Sequence, residues 1–307
     1  MARPSRFAQS RRRRYFGTGA LSLVDSTGVT DPELAMEHLA QELLREGQVV
    51  SPPVPLELLA SLRDVVEVAM VDMPSAGMLQ ALHPHGFRIK VRAADPPGRR
   101  RFSLAHEIGH LLVPSYHESP TDKVDDLTGE FPLENEEEHL CGIGATSMLL
   151  PEALLRAECN GLRPSIESLL ALTDVFQSSI ESTALRLDQL SAWPCVPVVW
   201  EWGMKPSQQV PEGQGSLLDA SEAVPAQNEF RVKFHAGPGG DRFFPRHRHA
   251  PRDSAMVTVC RTREEFKGRS TLLVGDRAVD CYVEAKLVPY RDSRGDRQLR
   301  IVSLVFI

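Results

Sequence analysis

Up to about residue 190 the apolar positions recur mostly at helical spacing, and beyond it mostly at strand spacing. Asp31-Pro32-Glu33 joins an N-cap residue to a first-turn proline. Leu34, Met36, Leu39, Leu43 and Leu44 follow as far as Glu46, and Gly47 supplies a stop. After the Ser51-Pro52-Pro53 break, Val54 to Arg63 predicts a second, shorter helix. Three β-prone stretches, Val65 to Val71, Ala76 to Leu82 and Gly86 to Val91, predict a small antiparallel sheet that ends in the turn Pro96-Pro97-Gly98. Helices are expected over Phe102 to Val113, Leu133 to Leu150, Pro151 to Cys159, Ser165 to Phe176 and Ser179 to Leu190, with a polar, acidic loop over Pro114 to Pro132. Past Ala192-Trp193-Pro194 the pattern changes. Val196 to Trp202, Glu229 to Phe234, Ala255 to Val259, Thr271 to Val274, Tyr282 to Pro289 and Arg300 to Phe306 all read as strands.

A chain of 307 residues, 42% hydrophobic and 25% charged, has the composition of a soluble globular protein with room for two domains. No apolar run approaches the roughly 18 to 20 residues of a membrane helix, and the first 20 residues lack the apolar core of a secretory signal. Five scattered cysteines without a C-x-x-C pair argue against a disulfide framework or a cysteine-rich zinc module, and for a reducing cytoplasm. Charge is unevenly spread. Residues 1–20 hold six arginines and no acid, and residues 192–307 hold 17 lysines and arginines against 14 acids. The net charge of −6 therefore comes from an acidic middle. The expected organisation is an α+β chain in three parts: a basic, disordered arm over 1–30, a helix-rich domain over 31–191 and a smaller β-rich domain over 192–307.

His106-Glu107-Ile108-Gly109-His110 is the sharpest chemical feature. On a helix the two histidines stand one turn apart on one face, so both imidazoles reach a single cation. Glu107 lies about 100° round the helix. There it can take a proton from a water that zinc has acidified toward a pKa of about 7. A third ligand must come from downstream, where Asp122, Asp125, Asp126, Glu130, Glu134, Glu136, Glu137, Glu138 and His139 are available. Cys141, Ala145 and Met148 form one stripe of the next helix, and Glu138 stands at its end, where an unligated carboxylate would be costly to bury. Glu134, one turn earlier, is the rival. Glu136 and Glu137 read as a solvated acidic face.

Phe102 to His110 (F-S-L-A-H-E-I-G-H), followed by Glu138 to Pro151 (E-H-L-C-G-I-G-A-T-S-M-L-L-P), resembles the ImmA/IrrE family of zinc-dependent metallopeptidases. The second motif of that family opens with the third metal ligand, which falls on Glu138. The resemblance covers about residues 31 to 190, and Gly142 departs from it by standing where the family usually has Asn. It implies a zincin-like domain with a helical extension, in which His106, His110 and Glu138 hold Zn2+ or Mn2+ and Glu107 is the catalytic base and acid. It further implies a site-specific endopeptidase that cuts a helix-turn-helix repressor and so derepresses stress, DNA-damage or phage-defence genes. The C-terminal domain would then be sensor-like, as in relatives where it is GAF-like. A metal-containing transcription regulator that binds DNA or a repressor without cutting it is the alternative.

Other features are weaker. Tyr116 and His117 follow the first motif and are either loop surface or an additional oxyanion donor. Cys141, one turn from Glu138, is expected to be a small buried residue rather than a metal contact. The strands between Val65 and Val91 offer an edge to an extended substrate. Ser165 to Leu190 has the outline of a DNA-binding helix pair, yet its second helix carries Arg186 as its one base against Glu181 and Asp188, so packing is the better expectation. Arg242, Phe243, Phe244, Arg246, His247, Arg248, His249 and Arg252 combine cations with rings, as a site for single-stranded DNA or a phosphate-bearing ligand would. The same cluster also reads as a loop with both phenylalanines in the core.

Overall fold

The computed structural model describes residues 15–82, 84–118, 123–125, 136–205, 228–234, 236–237, 242–291 and 297–307. Within these, the chain divides into two compact units. One holds residues up to 162 together with 170–186, and the other holds 163–169 together with 187–307. The chain has the α+β composition read from its sequence.

The first unit begins with helix α1 (Thr18–Thr27), which buries Ala20 and Leu23. The arm expected over 1–30 is therefore a helix in its second half, and residues 1–14 lie outside the described part. Helix α2 (Pro32–Glu46) forms where its signals lie: Asp31 accepts the Glu33 N–H at 3.0 Å, Pro32 sits in the first turn, and Gly47 caps the end. Its buried face is Ala35, Met36, Ala40, Leu43 and Leu44. Helix α3 (Leu56–Ser61) leads into the strands β1 (Val65–Val71), β2 (Gly77–Ala81) and β3 (Phe87–Arg92).

The sheet is mixed rather than antiparallel. Its order is β1-β3-β2 and then β4 (Lys123–Asp125), with β1 parallel to β3 and both β2 pairings antiparallel. The inner place goes to β3, whose alternating Phe87, Ile89 and Val91 are buried, whereas β1, more apolar in sequence, exposes Val66 and Met70 at the edge. The fourth strand, β4, arises inside the segment expected to be loop and pairs with Gly77 to Leu79.

Helix α4 (Pro97–Leu112) starts five residues earlier than its apolar pattern indicates, because Pro97 occupies the first turn instead of closing a loop. It packs on β2 and β3 with one side and on α6 (Glu136–Leu149) with the other. Between them lies the short helix α5 (Pro114–Glu118). Helix α6 runs unbroken through Gly142. Then come α7 (Glu152–Cys159), α8 (Ile166–Phe176) and α9 (Ile180–Gln189). Arg186 of α9 points inward. Its guanidinium is buried, lies 2.8 Å from Glu37 of α2, and donates to the Leu150 carbonyl at 3.3 Å. The one base of this helix is thus spent on packing.

The second unit is a five-stranded sheet of β5 (Val196–Gly203), β6 (Glu229–Val232), β7 (Phe266–Val274), β8 (Arg277–Arg291) and β9 (Arg297–Phe306), in the order β6-β5-β9-β8-β7, antiparallel throughout. The stretch Ala255 to Val259, expected as a strand, is helix α10 (Ala255–Thr262). Its β-branched residues are outweighed by burial at helical spacing: Ala255, Met256 and Val259 all face a core built on Trp200, Phe230, Phe244 and Val283. All five cysteines are free thiols. Among the described residues, no helix is long and apolar enough to cross a membrane.

Candidate metal centre

Helices α4 and α6 approach closely because Gly109 has no side chain. A Cβ there would stand 3.0 Å from the Cys141 carbonyl oxygen and 3.1 Å from its Cα. His106 and His110 project from the same face of α4 as this contact, both essentially fully buried. Their rings meet edge-on with centroids 5.2 Å apart. Glu138, in the first turn of α6, reaches both rings: Oε2 lies 2.9 Å from His106 Nε2, and Oε1 lies 3.6 Å from His110 Nε2.

The donor atoms of His106, His110 and Glu138 all fall within 4.8 Å of one another. Ligands at metal bond lengths of about 2.0–2.2 Å in tetrahedral array are separated by about 3.4 Å, so the three converge at the spacing one cation requires. Protonation states suit the same purpose. Burial lowers the pKa of His110 and favours the neutral imidazole that a metal needs. Burial pushes Glu138 upward, but its hydrogen bond with His106 and the nearby histidines outweigh that, and its pKa ends below the ordinary value. One neutral imidazole and an ionised carboxylate beside a second imidazole form a donor set for a divalent metal ion.

Glu107 is completely buried and stands where α4 meets β2. Gly77 makes room for it, since a Cβ at that position would collide with Glu107 Oε1. Of the other downstream candidates, Asp122, Asp126, Glu130 and Glu134 lie outside the described residues, as does the side chain of Asp125. His139 turns away from the centre, with its Nε2 3.2 Å from Glu33. Tyr116 is buried rather than loop surface, its ring centroid 6.4 Å from that of His110, whereas His117 Nε2 donates to the Leu111 carbonyl at 2.8 Å. Cys141 is buried with its sulfur 3.4 Å from Nδ1 of His110, the ring nitrogen on the far side from Glu138.

Two side chains expected in a solvated acidic face have partners instead. Glu136 accepts the backbone N–H of Gly17 at 2.7 Å, and Glu137 Oε1 lies 3.1 Å from His110 Nδ1. A run of three glutamates gives no sign of such pairings in sequence. The role of Gly77 was equally invisible, because only the sheet brings it to Glu107.

The basic cluster of the second unit does not converge. Phe244 is fully buried and packs edge-on against Trp200 at 6.2 Å, so it offers no ring to a ligand. Phe243 and Arg246 are half-buried, and Arg248 lies 2.6 Å from Asp276. His247 gives its carbonyl to Arg231, while Arg242, His249 and Arg252 are exposed. Arg242 also lines a cavity of about 70 Å³ with Asp188, Trp193 and Cys195.

A sheet covered by a helix bearing H-E-x-x-H, with a glutamate from a second helix facing both histidines, defines a metallopeptidase-type centre. The family model of the IrrE N-terminal-like domain, peptidase M78, matches residues 67–188, the segment that carries His106, Glu107, His110 and Glu138. A radiation response metalloprotease IrrE of Deinococcus radiodurans is 29% identical over 196 residues, 63% of this chain and 58% of that protein. The protein of the same name from Deinococcus deserti is 29% identical over 48% of this chain and 51% of its own length. The chain thus matches somewhat over half the length of these curated relatives. A solved Mycobacterium tuberculosis transcriptional regulator shares the fold, with a TM-score of 0.53 and 16% identity over 94% of this chain and 79% of that one.

Proposed function

We propose that this chain is a metal-dependent, site-specific endopeptidase, acting in the cytoplasm, that cuts a helix-turn-helix repressor and so releases stress or phage-defence genes. The observation that carries the reading is a buried glutamate, Glu107, beside three donor groups that converge from two helices. A site that only had to hold a metal for stability would need the donors but not that carboxylate. His106, His110 and Glu138 would hold the ion, with Zn2+ or Mn2+ as the candidates. When bound, it supplies a Lewis acid that polarises the scissile carbonyl and acidifies water.

Glu107 takes the proton of the attacking water on a carboxylate oxygen and hands it to the departing amine nitrogen. Its burial keeps the carboxylate oriented, and Gly77 leaves the space it needs. An extended substrate segment adds to an edge of the four-stranded sheet. The edge formed by β4 is the nearer one, because β4 pairs with β2, the strand that touches Glu107. The activating signal is assigned to the second unit. Single-stranded DNA is the first activator to try, recognised through the charge of Arg242 and Arg252 rather than through Phe244.

The test is co-incubation with a helix-turn-helix repressor from the same genome, beginning with any encoded beside this gene, with Zn2+ or Mn2+ and with or without single-stranded DNA, read by mass spectrometry. Wild type should make one cut, and Glu107→Gln should bind metal and partner yet make none. Binding without cutting by wild type would leave the non-proteolytic regulator as the better reading.

A further inference from the structure

Glu136, Glu137 and Glu138 are consecutive at the start of α6, and successive residues of a helix point about 100° apart. Three carboxylates therefore meet three environments. Glu136 faces the N-terminal segment, where it accepts the N–H groups of Phe16 and Gly17 just ahead of α1, a helix without a side-chain cap of its own. Glu138 faces the two Nε2 atoms. Glu137 reaches the other side of His110, with Oε1 3.1 Å from Nδ1. The two nitrogens of one buried imidazole are thus divided between two carboxylates.

That division has a chemical consequence. A neutral imidazole has one N–H and one lone pair, and whatever accepts the proton on one nitrogen leaves the lone pair on the other. With an acceptor at Nδ1, the lone pair is at Nε2, on the side of Glu138. The sulfur of Cys141 also approaches Nδ1, at 3.4 Å, but a thiol is a much weaker acceptor than a carboxylate. Glu137 is confined from its outer side as well, where Gly19 of α1 packs so closely that a Cβ would stand 3.4 Å from Oε2.

We propose that Glu137 is a positioning residue of the metal centre: it accepts the Nδ1 proton of His110 and sets the tautomer whose Nε2 binds the ion. This rests on the metal-centre reading above and assigns Glu137 no contact with substrate. The test uses the full chain, freed of metal and titrated with Zn2+ against a chromophoric chelator. Glu137→Ala should weaken zinc binding by about 10- to 100-fold, while Glu136→Gln and Cys141→Ala stay within about threefold of wild type. Glu137→Gln should fall between, because its amide oxygen still accepts the proton. Nitrogen-15 NMR of the metal-free protein should show His110 protonated at Nδ1 in wild type and in Glu137→Gln, and a tautomer mixture in Glu137→Ala. Should Glu137→Ala fail to fold, the Gln variant and the wild-type tautomer decide. Wild-type zinc affinity in both Glu137 variants, or an Nε2-protonated His110 in wild type, overturns the role of Glu137 alone. A wild type that takes up no zinc overturns the metal centre, and this inference with it.

Discussion

Two segments of this chain are dense in the residues that bind ions and polar ligands, and they behave differently once folded. In residues 106–138, side chains separated by 32 positions converge on one point. In residues 242–252, eight candidate side chains lie within eleven consecutive positions and scatter, with Phe244 in the core, Arg248 beside Asp276, and Arg242 and Arg252 in solvent. The difference lies in the backbone. A helix repeats a direction every three or four residues, so His106 and His110 must share a face, and a second helix at close range can bring one more ligand to it. An irregular segment has no period, and each of its side chains goes where the nearest core or charge takes it. Density in sequence therefore says little about a site unless a regular element gives it direction.

Substitutions can break that contrast. The largest effect is expected at Glu107. Glu107→Gln should lower kcat/KM for a cleaved substrate by about 10²- to 10⁴-fold, with zinc affinity measured separately and unchanged. Equal loss of metal and activity would make Glu107 a structural residue. In the second unit the large effect should be on stability: Phe244→Ala removes a buried ring and should cost about 3–5 kcal/mol in a urea melt. A cost near zero would return Phe244 to the ligand cluster.

Gly109→Ala tests the close approach that makes convergence possible. The new methyl meets the backbone of Cys141, so α4 and α6 must separate, with a cost of about 1–3 kcal/mol and weaker zinc binding in the same variant. Asp188 gives a smaller effect with a definite pH signature. Burial pushes its carboxyl up to about 6, against the hydrogen bond it accepts from Gly237. Between pH about 4 and 6 the folded chain retains a proton that the unfolded chain releases, so this group makes stability fall as pH rises through that window. Asp188→Asn keeps an oxygen for Gly237 and should gain about 1–2 kcal/mol over wild type at pH 7, with little gain at pH 4. A constant difference between the two pH values would show that ionisation of Asp188 is not the cause. Smallest of all, Arg252→Ala should change stability by less than about 0.5 kcal/mol. Its value lies elsewhere: loss of any activation by single-stranded DNA in that variant would show that a scattered cluster can still act as a charge patch.

Much of the chain was legible where local signals agree with burial. Asp31-Pro32 and Gly47 bound α2 as read, and β5 and β9 follow their apolar runs closely. Errors fell where tertiary contacts outweighed local preference. Ala255 to Val259 is β-branched enough to read as a strand, yet it packs one helical face on a sheet. Pro97 reads as a turn residue, and the fold uses its fixed φ to start α4. The parallel placement of β1 beside β3 could not be read from three apolar stretches, because pairing partner and direction are contacts between strands that no single stretch encodes.

By itself, the sequence determined that His106 and His110 share a helical face with Glu107 beside them, because the helical period is a property of the backbone. It also placed Glu138 at the end of the apolar stripe of α6, through the same period. Tertiary structure alone decided how near the two helices come, which ring nitrogen each carboxylate meets, and that a glycine in β2 makes room for Glu107. Those are distances between elements, set by side chains packing across them, and no local pattern along the chain encodes them.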